Sequence, residues 1–139
     1  MKEMDKNEKI SYKDTREFSK EELERLFLSV DWSSGRYPDK LVVAMRNYET
    51  VYSAWDGERL VGLISAMDDG IMTAYVHYLL VDPEYQGLHI GRKLVEMLKE
   101  QYSDYLRIAL HSSPMAFRFY ESLGFKASED ETPMYITEL

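Results

Sequence analysis

A mixed sheet with helices on both faces, of the α/β (α+β) class, is the fold that these 139 residues predict. Three observations carry that expectation. Apolar runs of period two alternate with runs of period three to four, in the order β-α-α-β-β-β-α-β-α-β. Two strand-like runs, Val51 to Trp55 and Arg59 to Met67, meet at Asp56-Gly57, a strong hairpin signal. A third, Val76 to Val81, ends at Asp82-Pro83 and passes through a short loop with two glycines into an amphipathic helix. The chain is long enough to bury a sizeable core as one domain, 1–139.

Taken in order, residues 1–7 are expected to fray, and Lys9 to Lys13 alternates like a first strand. Ser19-Lys20-Glu21-Glu22 is a capping box, in which the Ser hydroxyl and the Glu carboxylate satisfy each other's orphan N–H groups. Leu23, Leu26, Phe27 and Val30 form the buried stripe of the first helix. Asp31 to Tyr37 is a loop, and Pro38 opens a second helix with Leu41, Ala44, Met45 and Tyr48 inward. After the hairpin, Asp68-Asp69-Gly70 turns the chain into a strand from Met72 to Val81. Ile90, Leu94, Val95, Leu98 and Tyr102 then recur at helical spacing, with Arg92, Lys93, Glu96, Lys99 and Glu100 outside. Leu106 to His111 is the next strand, Ser113 the N-cap and Pro114 the first residue of a fourth helix, and Gly124 its left-handed cap. Met134 to Glu138 gives a last strand. No repeat, low-complexity segment or linker interrupts this order.

The composition excludes several classes. With no cysteine there is no disulfide, thiolate metal site or cysteine nucleophile. A net charge of −8 makes nucleic acid an unsuitable partner. It suits cationic substrates and solubility equally well. No stretch reaches the roughly 18 apolar residues of a membrane span, and the N-terminus MKEMDKNEK is too charged for a secretory signal. A soluble cytoplasmic protein is expected. The three histidines, His77, His89 and His111, lack close ligand spacing, so no metal site is expected.

The most informative stretch is Leu79 to Lys99. Strand, glycine-containing loop Gln86-Gly87-Leu88-His89-Ile90-Gly91 and helix, in that order, aim several free backbone N–H groups at one spot. The positive end of the helix dipole adds to them, which is the physics of a pyrophosphate site. The stretch resembles the coenzyme A signature of the GCN5-related N-acetyltransferases: Gln or Arg, two residues, Gly, one residue, Gly or Ala. Gln86, Ile90 and Gly91 fit, while His89 replaces the first glycine of the pattern; His tolerates positive φ better than most residues. Val81-Asp82-Pro83-Glu84-Tyr85-Gln86 matches the family's strand exit. Downstream, Ala116, Phe119, Tyr120, Gly124 and Phe125 match its second landmark, with Ser113 in place of the usual Asn. The resemblance covers nearly the whole chain in element order and about the last 60 residues in close motif matching. It implies a mostly antiparallel sheet, acetyl-CoA as cosubstrate, a small-molecule amine acceptor or, as the alternative, a protein or peptide amine, and a homodimer.

Moving acetyl from a thioester to an amine requires a base for the amine, a donor to the carbonyl oxygen and an acid for the thiolate. By the resemblance, Leu79, Leu80 and Val81 contact pantetheine and acetyl, a backbone N–H among them polarising the carbonyl. Gln86, Gly87, Leu88, His89, Ile90 and Gly91 hold the pyrophosphate, with Arg92 and Lys93 assisting, and Phe117 joins the coenzyme contacts. Tyr120 is the candidate acid, since a phenol with a pKa near 10 keeps its proton at neutral pH. Read alone, it is as well explained as core beside Phe117 and Phe119. His77 is the candidate base; strand alternation places it on one face with Leu79 and Val81. A core histidine between Tyr75 and Tyr78 explains it equally well, and His111 is a second candidate. Trp32, Arg36 and Tyr37 occupy the loop that walls the acceptor site in this family, or simply pack the surface.

Two other readings compete. A non-catalytic acyl-CoA-binding module on the same fold is opposed by Tyr120 and left open by His89 and Ser113. A dinucleotide-binding domain needs Gly-x-Gly-x-x-Gly after an early strand, whereas Gly87 and Gly91 stand alone and late.

Overall fold

Five strands, β1 (Ile10–Lys13), β2 (Thr50–Asp56), β3 (Arg59–Asp68), β4 (Thr73–Val81) and β5 (Arg107–Leu110), lie side by side in chain order in the computed structural model, which describes residues 9–139. The expectation for residues 1–7 falls outside the described residues. Pairing is antiparallel from β1 to β4 and parallel between β4 and β5. The sheet is therefore mixed and mostly antiparallel.

Helices α1 (Lys20–Ser29) and α2 (Pro38–Asn47) cover one face. The capping box starts α1: Ser19 Oγ accepts from the Glu22 N–H and the Glu22 carboxylate accepts from the Ser19 N–H at 2.7 Å. The α1 stripe Leu23, Leu26 and Phe27 is fully buried with Met45, Leu60 and Leu63. Helix α3 (Ile90–Gln101) covers the opposite face, and Ile90, Leu94, Val95 and Leu98 pack on Val61, Ile64, Ala66, Ala74 and Val76. Gly62 permits this approach, because a Cβ there would lie 3.3 Å from Ile90 Cγ2. Phe119, Leu123 and Phe125, on and after α4 (Phe117–Ser122), join the same layer.

Three local expectations are corrected. First, Ser65 pairs with Tyr78 but Ala66 with Val76, so His77 is an extra residue in β4 and forms a β-bulge. An extra residue resets the alternation. Leu79 and Val81 stay toward α3, while His77 turns to the α1/α2 face, stacked on Tyr78 at 4.1 Å. His77 does not share a face with Leu79 and Val81. Second, Pro114–Ala116 form a single 3-10 turn and the fourth helix begins at Phe117; Ser113 stands extended before the turn without a side-chain capping bond. Gly124 closes that helix at φ 98°, as its position predicts. Third, Met134 to Glu138 forms no strand, and residues 126–139 carry no ladder. Alternation marks a segment suited to a pleated surface, but a strand also requires a partner edge, and none among the described residues pairs with it.

Candidate active site

β4 and β5 pair only from Thr73 opposite Arg107 to Val76 opposite Leu110. β4 then continues to Val81 while β5 has ended, and the two segments part. The opening is a cleft of about 650 Å³. Leu79, Leu80 and Val81 form one wall. Gln86, Gly87, His89, Ile90, Gly91 and Arg92 line its end at the start of α3. Tyr120 comes from the other side, on α4.

Of the remaining sequence-predicted coenzyme residues, Leu88 packs against the α3 layer and Lys93 is exposed in the first turn of α3. Phe117 lines a second cavity across α4, to which Tyr120 also contributes. Val30, Tyr85, Ser113, Met115, Ala116 and Phe119 line the cleft without having been assigned by sequence reasoning. Ser113, Met115, Ala116 and Phe119 sit inside the second landmark and Tyr85 inside the strand exit, so those motifs were their signal; Val30 had none.

The loop before α3 is built to present amides. Gly87 has φ 83° and His89 φ 62°, both in the left-handed region. His89 is the N-cap of α3 with no side-chain capping bond. The N–H groups of Gly87, Leu88 and His89 have no partner among the described residues, and those of Ile90, Gly91 and Arg92 are the orphan amides of a helix start. Below the loop, Asp82 is buried. It accepts from the Glu84 N–H at 2.9 Å and pairs with Arg25 at 3.1 Å and Arg59 at 3.3 Å. Gln86 Nε2 donates to the Val81 carbonyl at 3.2 Å. The strand exit is thereby tied to α1 and to β3.

The two candidate proton-transfer groups have different surroundings. Tyr120 is half-buried between Phe119 and Phe125, with ring centroids at 5.1 and 5.7 Å. Burial pushes its phenol above the ordinary value, and its hydroxyl has no hydrogen-bond partner among the described residues. His77 lies across the sheet from α3, with Nδ1 2.5 Å from the Tyr48 hydroxyl and rings of Tyr48, Tyr75 and Tyr78 around it. This partial desolvation holds its imidazole below the ordinary value. Desolvation first, then the neighbouring Tyr78, drives the Tyr48 phenol far above its own. Sequence reasoning missed Tyr48, because the register that joins the end of α2 to a bulge in β4 is a tertiary fact. His111 Nδ1 lies 3.2 Å from the Tyr75 hydroxyl and 2.8 Å from that of Tyr135.

In the loop after α1, Trp32 lines the cleft and its ring lies 6.0 Å from that of Tyr78. Ser34 holds the loop to β4 through the Tyr78 hydroxyl at 2.9 Å. Arg36 and Tyr37 are exposed outside the cleft lining. Among the described residues, no three His, Asp or Glu side chains lie together as metal ligands, and no helix is long and apolar enough to cross a membrane.

Residues 14–134 match the family model described as the acetyltransferase (GNAT) domain. The chain belongs to the GNAT acetyltransferases. It is 29% identical over 134 residues to the uncharacterized N-acetyltransferase ycf52 of Pyropia yezoensis, which covers 88% of this chain and 76% of that protein. A "GCN5-related N-acetyltransferase 2, chloroplastic" of Arabidopsis thaliana is 37% identical over 82 residues, 54% of this chain and about a third (32%) of that relative's length. A "Histone acetyltransferase TAP1" of Glycine max is 30% identical over 78% of this chain and 52% of its own. Among solved structures, a GNAT-family acetyltransferase of Streptococcus pneumoniae superposes with a TM-score of 0.76 at 27% identity, covering 94% of this chain and 99% of that one. The GNAT identity accords with the strand-loop-helix and Phe-Tyr landmarks and with the mixed sheet.

Proposed function

We propose that this GNAT protein moves an acetyl group from acetyl-CoA directly to a primary amine of a small molecule. The observation that carries the reading is the meeting, in one cleft, of the amides of Gly87, His89, Ile90, Gly91 and Arg92 with the hydroxyl of Tyr120 on the opposite wall, none of them partnered among the described residues. Bound there, acetyl-CoA supplies an activated acyl group and a thiolate leaving group.

The residues fit that cosubstrate. The amides and the α3 dipole suit a pyrophosphate, with Arg92 beside them. The apolar wall of Leu79 to Val81 suits an extended, weakly polar arm. Tyr120, protonated throughout the neutral range, delivers a proton to the departing sulfur. On the other face, His77 stays neutral at pH 7. In the tautomer whose Nδ1–H donates to the Tyr48 oxygen, the Nε2 lone pair of His77 is free to take the amine's proton, directly or through a water. The bulge turns His77 to this face, so coenzyme and acceptor approach β4 from opposite sides.

The 30% identity to a protein named a histone acetyltransferase supports a second reading, in which the acceptor is a peptide amine. Thiol release from acetyl-CoA, followed over small amines and basic peptides, separates the two, and the cysteine-free chain adds no thiol background. Amine-dependent release that collapses in Tyr120→Phe is expected. Release with peptides alone moves the acceptor to the second reading. Binding of acetyl-CoA by folded protein without any release makes it a non-catalytic acyl-CoA-binding module.

A further inference from the structure

The cleft reaches both faces of the sheet. Of its wall residues, Leu79 and Val81 belong to the α3 layer, whereas Val30 and Leu80 belong to the α1/α2 layer. The amides at the start of α3 line it on one side, and Val30 and Trp32, which follow α1, line it on the other. The Trp32 ring lies beside that of Tyr78, which stacks in turn on His77 at 4.1 Å. Because a strand rises about 3.3 Å per residue, Tyr78 lies about 10 Å back along β4 from Val81. Trp32 therefore stands at the end of the cleft remote from the amides and next to the candidate base.

This end is held firmly from behind. The Trp32 N–H donates to the Phe27 carbonyl at 3.1 Å, and its carbonyl accepts from the Gly35 N–H at 3.0 Å. The indole meets the fully buried Phe27 ring edge-on at 6.1 Å and the Tyr78 ring at 6.0 Å. Ser34 bonds the Tyr78 hydroxyl at 2.9 Å. Gly35 is pressed so closely on α1 that a Cβ there would lie 2.9 Å from Leu28. A loop fixed on both sides of Trp32 does not swing aside for a ligand. The indole itself is 37% exposed and lines the cleft.

Resting on the acyl-CoA reading of the cleft, we infer that Trp32, with Val30 beside it, is the stop that limits the length of the acyl group. With pyrophosphate on the amides and the arm along Leu79 to Val81, the free end of the acyl chain points at the indole. Acetyl, with one carbon beyond its carbonyl, fits short of that wall. A four-carbon chain meets the ring, or draws the thioester back from Tyr120 and from the face that carries His77. Trp32 thereby selects the donor, a role separate from the acceptor wall that the resemblance implies.

Calorimetric binding and steady-state transfer, run with acetyl-, propionyl-, butyryl- and hexanoyl-CoA, test the stop. In the wild type, kcat/KM should fall about ten-fold or more from acetyl to butyryl, and Kd should rise with chain length. Trp32→Ala should reverse the order, each added methylene that gains an apolar seat being worth about four-fold. Its Kd for free coenzyme A and its KM for the amine should stay near wild type. Val30→Ala leaves the indole and its packing in place and should move the limit the same way by a smaller step, so the outcome does not hang on the folding of one variant. A wild type that takes butyryl as well as acetyl, or chain-length ratios unchanged in both variants, overturns the inference. So does a change confined to the KM of the amine. Binding without transfer to any amine overturns the transferase reading alone, and the Kd ratios then decide the stop. Failure to bind any acyl-CoA overturns both.

Discussion

The two walls of the cleft are made in opposite ways. The wall formed by β4, the loop and α3 rests on Ile90, Leu94 and Leu98, which are 1%, 0% and 0% exposed, and its strand exit is locked by Asp82. The wall formed by β5 and α4 has no buried residue in α4 and touches the core through the partly buried Ile108 and Leu110 of β5 and through Phe119, Leu123 and Phe125. The first presents backbone amides, whose direction depends on the fold being exact. The second presents a side chain, Tyr120, that needs only to reach the cleft. Burial is deepest behind the wall that presents backbone groups and shallowest behind the wall that presents a side chain.

That contrast is open to direct challenge. The largest effect is expected at the α3 anchor. Leu94→Ala should cost about 2–5 kcal/mol in urea unfolding, against less than about 1 kcal/mol for the exposed Phe117→Ala; equal losses would erase the distinction between the walls. Next comes chemistry on the loose wall. Tyr120→Phe should lower kcat about a hundred-fold or more with an unchanged unfolding midpoint, because the hydroxyl bonds nothing among the described residues.

A smaller effect concerns the other face. With His77 below its ordinary value, the acid limb of kcat should lie below about 6.5, and His77→Gln should remove that limb while lowering kcat. The same depression means that the unfolded chain takes up the proton first. The contribution of His77 to stability is thus present above about 6.5 and lost as pH falls through its folded-state value. A limb that persists in His77→Gln assigns the base elsewhere, with His111 the next residue to change. The smallest effect belongs to the loop. His89→Val places a β-branched residue at φ 62° and should cost about 1–2 kcal/mol, raising KM for acetyl-CoA more than it changes kcat. His89→Gly should leave KM near wild type, and a large rise there would mean that the imidazole itself holds the phosphate.

How much of this was legible in the sequence varied with the range of the forces involved. The capping box at Ser19, the Asp56-Gly57 hairpin, the buried stripe of α3 and the Gly124 cap are settled within a few residues by hydrogen bonds and periodicity, and each stands in the structure. The strand-loop-helix motif was legible because an orphan amide array is a local object. The direction of His77 was not, since a register shift between Ser65 and Ala66 on the neighbouring strand decides it. Nor was the fate of Met134 to Glu138, whose alternation is real but which pairs with no strand edge among the described residues.

The sequence by itself thus determined the order of elements as far as α4, the sheet class, the amides gathered at the start of α3 and the candidacy of Tyr120, because those follow from local bonding and from apolar spacing along one segment. Only the tertiary structure decided that β4 and β5 part beyond Val76, that a bulge turns His77 toward Tyr48, and that β5 is left with an open edge. Each of these depends on which strand lies beside which and in what register, and pairing between distant segments is fixed by the packing of the whole sheet.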